Sequence, residues 1–301
     1  MRSVLLLCCL FVAAQAKLTW ENTKFFFVFG DSYTTTGFNV SAGINSTDPG
    51  FVSSNGPNWV QAMRDTYNVA GTKVFNLASG GATIDSKLVT PFEPTVLSIV
   101  DQVAQFKQIL ASKPPGAEWN SSNALFAIWI GINDCGDSFN WSNTTQPAFN
   151  KVLMARLSTQ IEELYSFGAR SFLFLTVPPV QRAPLWVVQG SAITKLLAAD
   201  IANYNFQLAA TAESFVATHK GFEATLFDTQ PVFNTLLDGA ATFKFTNTTG
   251  FCDAYQNGTP QISTQIAPCA PVSTYFWLNS LHPLFTIHNM LAHALLSVIS
   301  A

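Results

Sequence analysis

Apolar runs alternate with amphipathic segments along the chain, in the order that a parallel sheet covered on both faces requires. Five short apolar runs predict buried strands, and the other segments carry apolar residues at helical spacing. The predicted strands cover residues 24–30, 73–77, 124–130, 171–177 and 224–227. The predicted helices cover residues 58–67, 95–112, 148–167, 193–218 and 283–300. This alternation predicts an α/β protein with a five-stranded parallel sheet between two helical layers.

The residues that follow the predicted strands are the first candidates for chemistry, because ligands of such sheets bind beyond the carboxyl ends of the strands. The first strand is followed by Gly30-Asp31-Ser32-Tyr33. A glycine lets the backbone turn sharply there, and a serine at the sheet edge can act as a nucleophile when a base reaches it. The alternative is that the Ser32 side chain caps a helix.

The second and third strands are followed by groups that suit a developing negative charge. Gly80 and Gly81 come after the second strand, where paired glycines either bring a backbone N–H close to a ligand or form a tight turn. Gly131-Ile132-Asn133-Asp134 comes after the third strand. The amide of Asn133 can donate to an oxyanion, and the alternative is an Asn-Asp turn.

Four histidines occur, and their places in the predicted elements separate them. His288 and His293 fall inside the last predicted helix, where a structural role is favoured. His219 ends the preceding long helix and is expected to interact with the helix dipole. His282 alone lies in a loop that can face the strand ends, so it is the candidate general base for Ser32.

The composition supports a large folded core and narrows the classes of partner. Hydrophobic residues make up 48% of the 301 residues, and charged residues make up only 11%. These proportions argue against disorder. The net charge is −3 and no basic run occurs. We therefore expect neither nucleic acid nor an anionic membrane surface as a partner.

Residues 1–16 have the layout of a signal peptide. Arg2 gives the positive start, residues 4–14 give the apolar stretch, and Ala14-Gln15-Ala16 gives the cleavage site. The apolar stretch is too short to span a bilayer well, and the alternative is an N-terminal anchor. We expect a secreted protein whose mature chain begins at Lys17, with no stable membrane insertion.

Three cysteines follow the predicted cleavage site, and seven sequons fit a secretory route. Cys252 and Cys269 flank a polar stretch and are expected to form a disulfide in an oxidising compartment. Cys135 is then expected to be buried and inert, the alternative being a nucleophilic role. The predicted N-glycosylation sites are Asn39, Asn45, Asn120, Asn140, Asn143, Asn247 and Asn257.

Four segments, taken in order, resemble the sequence blocks of the GDSL or SGNH hydrolases, a family of ester hydrolases with a flavodoxin-like three-layer α/β/α sandwich. The segments are Gly30-Asp31-Ser32 with Tyr33 in place of the usual Leu, the glycines Gly80 and Gly81, Gly131 to Asp134, and the block that contains His282. The resemblance implies that Ser32 is the nucleophile. It also implies an oxyanion hole formed by the N–H groups of Ser32 and Gly81 and the amide of Asn133.

One position departs from the family pattern, and it bears on His282. The family places an aspartate three residues before the histidine, where this chain has Asn279. An aspartate orients the imidazole and stabilises its cation, whereas an amide can orient the ring but adds no charge. The alternatives are a backbone carbonyl in a Ser-His dyad, or another carboxylate, for which Asp228 and Asp253 are the candidates.

The closer resemblance is to secreted fungal acetyl esterases of carbohydrate esterase family sixteen, which act on plant cell-wall carbohydrate. It rests on residues 29–39, 54–59 and 275–283. Aromatic side chains suit sugar stacking, so Trp59 and Trp277 are predicted to bind the substrate. The alternative for these residues is core packing.

These expectations combine into a single hydrolase domain over residues 17–301, a monomer that cleaves short-chain, acetyl-type esters of cell-wall oligosaccharides through an acyl-enzyme. No Cys or His cluster has the spacing of metal ligands, so neither a metal nor a cofactor is expected. Two rivals remain. One is a secreted lipase or phospholipase of the same superfamily, and the other is a carbohydrate-binding protein whose catalysis is impaired by Asn279.

Overall fold

Five parallel strands form one sheet in the order β2-β1-β3-β4-β5. The computed structural model describes residues 17–46 and 50–300, so the predicted signal peptide lies outside the described residues. The strands are β1 Phe25–Gly30, β2 Lys73–Asn76, β3 Ala124–Trp129, β4 Ser171–Leu175 and β5 Glu223–Phe227. This order and the flanking helices confirm the predicted α/β/α sandwich with a flavodoxin-like sheet.

Helices cover both faces of the sheet. They are α1 Trp59–Asp65, α2 Ile99–Ile109, α3 Ile132–Ser138, α4 Gln146–Ser166, α5 Pro184–Val187, α6 Ser191–Thr218, α7 Thr229–Asp238 and α8 Phe285–Ile299. In one layer α2 packs on α4 and α4 packs on α6, and in the other α8 packs on α1 and α7. None of the helices in residues 17–46 and 50–300 combines the length and the apolar character needed to span a bilayer.

Strand β1 is buried along its whole length because β2 and β3 pair with it on either side and helices cover it above and below. Its central residue, Phe27, lies in an aromatic cluster. The ring centroids of Phe75, Phe106, Trp119 and Phe126 are 4.9–5.6 Å from that of Phe27. A strand whose two faces are both apolar fits only the interior of such a sheet. This places the end of β1 in the middle of the carboxyl edge of the sheet.

Three helices were not predicted from the sequence: α3, α5 and α7. Helix α3 contains Asp, Gly and Ser, which are weak helix formers. Its N-cap is Gly131, whose left-handed φ of 118° redirects the chain directly after β3. The Asn-Asp turn that was the alternative for Asn133 and Asp134 is therefore the first turn of a helix.

The predicted disulfide between Cys252 and Cys269 is present, with the Cα atoms 6.3 Å apart, and Cys135 is buried as expected. Six of the seven sequon asparagines are exposed, and Asn247 is half-buried, with its side-chain oxygen accepting from the N–H groups of Thr249 and Gly250. N-glycosylation at these positions stays a prediction.

The side chain of Gln102 in α2 links a helical layer to the end of β1. Its Oε1 accepts from the N–H of Gly30 at 3.0 Å, and its Nε2 donates to the carbonyl oxygens of Gly30 and Leu97, each at 2.9 Å. The two bonds with Gly30 lie in the interior of the protein, where an unpaired polar group is costly. Gln102 therefore fixes the backbone two residues before Ser32.

We predict that Gln102→Leu lowers the free energy of unfolding by about 1–3 kcal/mol, because the buried N–H of Gly30 loses its partner. Denaturant unfolding measures this change. The control is Gln108→Leu, the same substitution on the exposed face of the same helix, which is expected to change stability by less than about 0.5 kcal/mol. Equal effects of the two substitutions would contradict the role assigned to Gln102.

Candidate active site

Ser32 lies just beyond the end of β1, in a loop that is fixed from several sides. A Cβ on Gly30 would collide with the carbonyl oxygen of Trp129, so only glycine permits the close approach of β1 to β3 there. The carbonyl oxygen of Thr34 accepts from Nδ2 of Asn58 at 2.9 Å and from Nδ2 of Asn76 at 2.6 Å. Ser32 itself is only 9% exposed. Its hydroxyl is thus held in a defined position at the sheet edge.

His282 reaches Ser32 from the loop before α8. Its Nε2 lies 2.8 Å from Oγ of Ser32, although the two residues are 250 positions apart. The loop closes on itself, because the N–H of Leu278 donates to the carbonyl oxygen of His282 at 2.8 Å. The structure therefore brings together the two residues that the sequence singled out as nucleophile and base.

Asn279 is the residue that orients the imidazole. Its Oδ1 lies 3.0 Å from Nδ1 of His282 and also accepts from the backbone N–H groups of Leu281 at 3.1 Å and His282 at 2.9 Å. Turning the amide over would place its NH2 group against two N–H donors. The oxygen is thus fixed toward the ring, which leaves the proton on Nδ1 and the lone pair of Nε2 facing Ser32.

Neither alternative carboxylate is the orienting group. Asp228 caps α7, accepting from the N–H of Gln230 and from Oγ1 of Thr176, both at 3.0 Å. Asp253 is an exposed residue at the start of a short 3-10 turn. An amide oxygen, and not a carboxylate or a backbone carbonyl, therefore occupies the third position.

Burial controls the protonation of the groups around Ser32. It lowers the pKa of His282 to about 4, so the imidazole is neutral at neutral pH. It also raises the pKa values of the carboxyls of Asp31 and Asp134 to about 7. The N–H of Tyr33 donates to Asp31 and the N–H of Ile84 donates to Asp134, and both bonds oppose the effect of burial.

Two of the predicted oxyanion residues, Gly81 and Asn133, lie on a turn and a helix that are hydrogen-bonded to each other. Gly81 has a φ of 78° in a turn that is closed by the N–H of Ala82 donating to the carbonyl oxygen of Ser79. Nδ2 of Asn133, at the start of α3, donates to the carbonyl oxygen of Ala82 at 2.8 Å. The side chain of Asn133 is therefore fixed against the turn that carries Gly81.

The prediction that Trp59 and Trp277 bind the substrate is wrong. Trp59 is 0% exposed and donates from Nε1 to Oγ1 of Thr34, and Trp277 is 1% exposed and donates from Nε1 to the carbonyl oxygen of Thr248. Both indoles pack in the core and support the loops of the site from behind. Core packing, the alternative for these residues, is what the structure contains.

Tyr33 is a site residue whose role the sequence did not reveal. It stands where the family usually has Leu, and its hydroxyl donates to the carbonyl oxygen of Leu281 at 2.6 Å. Its ring centroid lies 5.8 Å from that of His282 and 5.6 Å from that of Trp129. Tyr33 thereby ties the loop of the nucleophile to the loop of the base. In the sequence, only the replacement of the usual Leu by Tyr33 could have indicated this role.

Within residues 17–46 and 50–300, no three His, Cys, Asp or Glu side chains gather in a way that could hold a metal ion. Two of the other histidines have contacts or burial that suit a structural role. His288 is buried and burial lowers its pKa to about 3, while Nε2 of His219 lies 2.8 Å from Oε1 of Glu162.

Comparison with known proteins agrees with this geometry. The family described as GDSL-like Lipase/Acylhydrolase matches residues 26–295. The chain belongs to this family. As a GDSL hydrolase it is a carboxylic ester hydrolase of acetylesterase-like type.

Relatives of this GDSL hydrolase include esterases of a fungus and of a plant. It is 36% identical over 284 residues to an acetylesterase of Thermothelomyces thermophilus, a match that covers 91% of this chain and 87% of the relative. It is 30% identical over 223 residues to the GDSL esterase/lipase EXL4 of Arabidopsis thaliana, covering 68% and 62% of the two chains. The structure of an acetylxylan esterase from Geobacillus stearothermophilus aligns with a TM-score of 0.50 and 15% identity, over 92% of this chain and 94% of that one. This last likeness supports the fold.

We predict that Tyr33→Phe lowers kcat/KM about tenfold, because loss of the bond to Leu281 frees the His282 loop and small misplacements of catalytic groups are costly. The stability loss should be about 1 kcal/mol. Steady-state kinetics on an acetyl ester and thermal unfolding measure the two effects.

The matched control is Tyr165→Phe, which removes a hydroxyl that donates to the carbonyl oxygen of Lys220 far from Ser32. This variant should keep the wild-type kcat/KM. A Tyr33→Phe enzyme with unchanged kinetics would show that the bond to Leu281 serves stability alone.

Proposed function

We propose that this GDSL hydrolase is a secreted serine esterase that removes acetyl groups from plant cell-wall oligosaccharides, with Ser32 as nucleophile and His282 as general base. The esterase activity follows from family membership. The roles of individual residues, the sugar substrate and the secretion are the parts proposed here. The exposed sequons and the disulfide support the secretory route.

In the proposed acylation step, Oγ of Ser32 attacks the ester carbonyl carbon and its proton passes to Nε2 of His282. The negative charge on the carbonyl oxygen is bound by the N–H groups of Ser32 and Gly81 and by the amide of Asn133. An amide nitrogen has two N–H donors. One of those of Asn133 is used by Ala82, which leaves the other for the oxyanion.

Collapse of the tetrahedral intermediate breaks the bond to the alcohol, and His282 returns its proton to the leaving oxygen. Water then repeats the sequence on the acetyl group that Ser32 carries, and acetic acid is released. Both half-reactions use the same base and the same oxyanion donors.

The amide at position 279 supports activity because its oxygen is fixed. In serine proteases, replacing the triad aspartate by asparagine lowers kcat by about 10⁴, since the amide holds the wrong tautomer of the histidine. Here the N–H groups of Leu281 and His282 hold Oδ1 of Asn279 toward Nδ1. The productive tautomer is therefore favoured without a carboxylate, which argues against a catalytically impaired binding protein.

The observation that supports the sugar substrate is a cavity beside His282 whose wall contains several amide and hydroxyl side chains. The cavity has a volume of about 530 Å³ and includes His282 and Asn279 in its wall. Asn55, Gln256, Thr259 and Gln261 are among its other lining residues, and no Asp, Glu, Lys or Arg occurs among the described residues that line it. Because His282 must protonate the leaving oxygen, part of the alcohol of the ester lies in this cavity. Uncharged amides and hydroxyls suit a neutral polyol and not a charged phospholipid headgroup.

We predict that the purified protein hydrolyses acetylated xylotriose with a kcat/KM at least tenfold above its value for 4-nitrophenyl palmitate, because amide and hydroxyl side chains in the wall of the cavity can bind a sugar. Release of acetate and of palmitate measures the two rates. Ser32→Ala should lower kcat on the acetyl ester by about 10³ or more. Preference for the palmitate ester would favour the lipase alternative, and equal background rates of wild type and Ser32→Ala would favour a binding protein.

We predict that Asn279→Asp moves the acidic limb of the pH profile of kcat/KM to higher pH by at least about one pH unit. His282 must be neutral to act as a base, so wild-type activity is lost as pH falls toward its low pKa of about 4. A carboxylate next to Nδ1 stabilises the imidazolium and raises that pKa.

The control is Asn279→Leu, which has a similar shape but no acceptor for Nδ1. It should lower kcat at all pH values without moving the limb upward. An Asn279→Asp profile that coincides with the wild-type profile would contradict the contact between position 279 and His282.

A further inference from the structure

The residue that lies against Gly81 is an exposed aromatic. A Cβ on Gly81 would collide with Cε1 of Phe92 and would stand 2.7 Å from its Cδ1. The ring of Phe92 therefore lies directly over the backbone of the proposed oxyanion donor. Phe92 is nevertheless 75% exposed, so most of its ring surface is open to solvent or to a ligand.

The segment that carries Phe92, residues 83–98, is held by a bond within itself, by one to the loop that carries Gly81 and by an ion pair with helix α4. Oγ1 of Thr83 donates to the carbonyl oxygen of Val89 at 3.0 Å, and the N–H of Leu97 donates to Oγ of Ser79 at 3.2 Å. Asp85 forms an ion pair with Arg156, with Nε and Oδ2 2.6 Å apart.

Prolines complete the restraint on this segment. Pro91 and Glu93-Pro94 flank Phe92 in the sequence, and each proline restricts its own φ and the conformation of the preceding residue. An exposed ring on a restrained backbone can meet a ligand with little loss of conformational freedom.

We propose that Phe92 is a specificity-determining residue whose open ring face stacks on the sugar ring that bears the scissile acetyl group. The inference rests on the proposed function. With the carbonyl oxygen bound at the N–H of Gly81, groups one or two bonds from the carbonyl carbon lie next to the ring over Gly81. An exposed aromatic residue forms an open wall, which suits the flat apolar face of a pyranose and not a small enclosed methyl pocket.

The test compares esters that share the acetyl group but differ in the alcohol. Acetylated xylotriose offers a sugar ring, whereas ethyl acetate offers none and, unlike a nitrophenyl ester, cannot itself stack. We expect Phe92→Ala to lower kcat/KM for acetylated xylotriose about 10- to 100-fold, and to change kcat/KM for ethyl acetate less than about twofold. Phe92→Trp, which keeps an aromatic face, should retain most of the activity on xylotriose acetate.

The matched control is Phe206→Ala, which removes an equally exposed phenylalanine, 71% exposed, from helix α6. It should leave both rates unchanged. Ethyl hexanoate tests the other side of the ester: if Phe92→Ala impairs hexanoate hydrolysis and spares xylotriose acetate, the ring contacts the acyl chain and the inference is overturned.

An equal loss on xylotriose acetate and ethyl acetate would also overturn the inference, because it would mean that Phe92 only supports Gly81. A wild-type enzyme that cleaves ethyl acetate but not xylotriose acetate would overturn the proposed sugar substrate, and the stacking role with it. These two results are distinguishable, since the first concerns the variant and the second the wild type.

Discussion

Strands β1 and β3 approach so closely at Gly30 that no side chain fits between them, and the position of Ser32 depends on this contact. The carbonyl oxygen of Trp129 occupies the place that a Cβ would need. Gln102 holds the same residue from the helical layer through both its N–H and its carbonyl. Because the chain leaves β1 toward β2 on one side and leaves β3 toward β4 on the other, the loops after β1 and β3 diverge at the carboxyl edge of the sheet, where Ser32 lies.

The second half of the site is brought to this crevice by contacts that are distant in sequence. The hydroxyl of Tyr33 holds the carbonyl of Leu281, and Asn279 holds both the backbone and the ring of His282. One residue next to the nucleophile and one residue near the base thus fix the distance between the two reacting groups. The buried indoles of Trp59 and Trp277 support the same loops from the core.

The sequence predicted the features that follow from the periodicity of apolar residues or from excluding the other residues of the same type. The apolar run of β1 required a buried strand, and only His282 among the four histidines lay in a loop. It could not predict α3, whose residues are weak helix formers and whose start depends on the left-handed backbone of Gly131. Nor could it predict that Trp59 is buried while Phe92 is exposed. Trp59 lies at the start of a helix and Phe92 lies in an irregular segment, and at such positions tertiary packing, not periodicity, decides the exposure of a side chain. The direction of the Asn279 oxygen depends on the backbone N–H groups of Leu281 and His282. Every residue except proline has such a group, so the sequence does not indicate which ones a side chain will bind.

An amide in place of a carboxylate also changes how the catalytic groups handle charge. Ser32, His282 and Asn279 are all neutral at rest, since burial keeps the pKa of His282 at about 4. In the proposed acylation step, a cation on the imidazole and an anion on the substrate oxygen arise together from neutral groups. The two charges form a short electric dipole. A triad that contains an aspartate differs, because its carboxylate already carries a negative charge before the substrate binds. The three residues therefore return to electroneutrality after each half-reaction, with no permanent charge that counterions would screen.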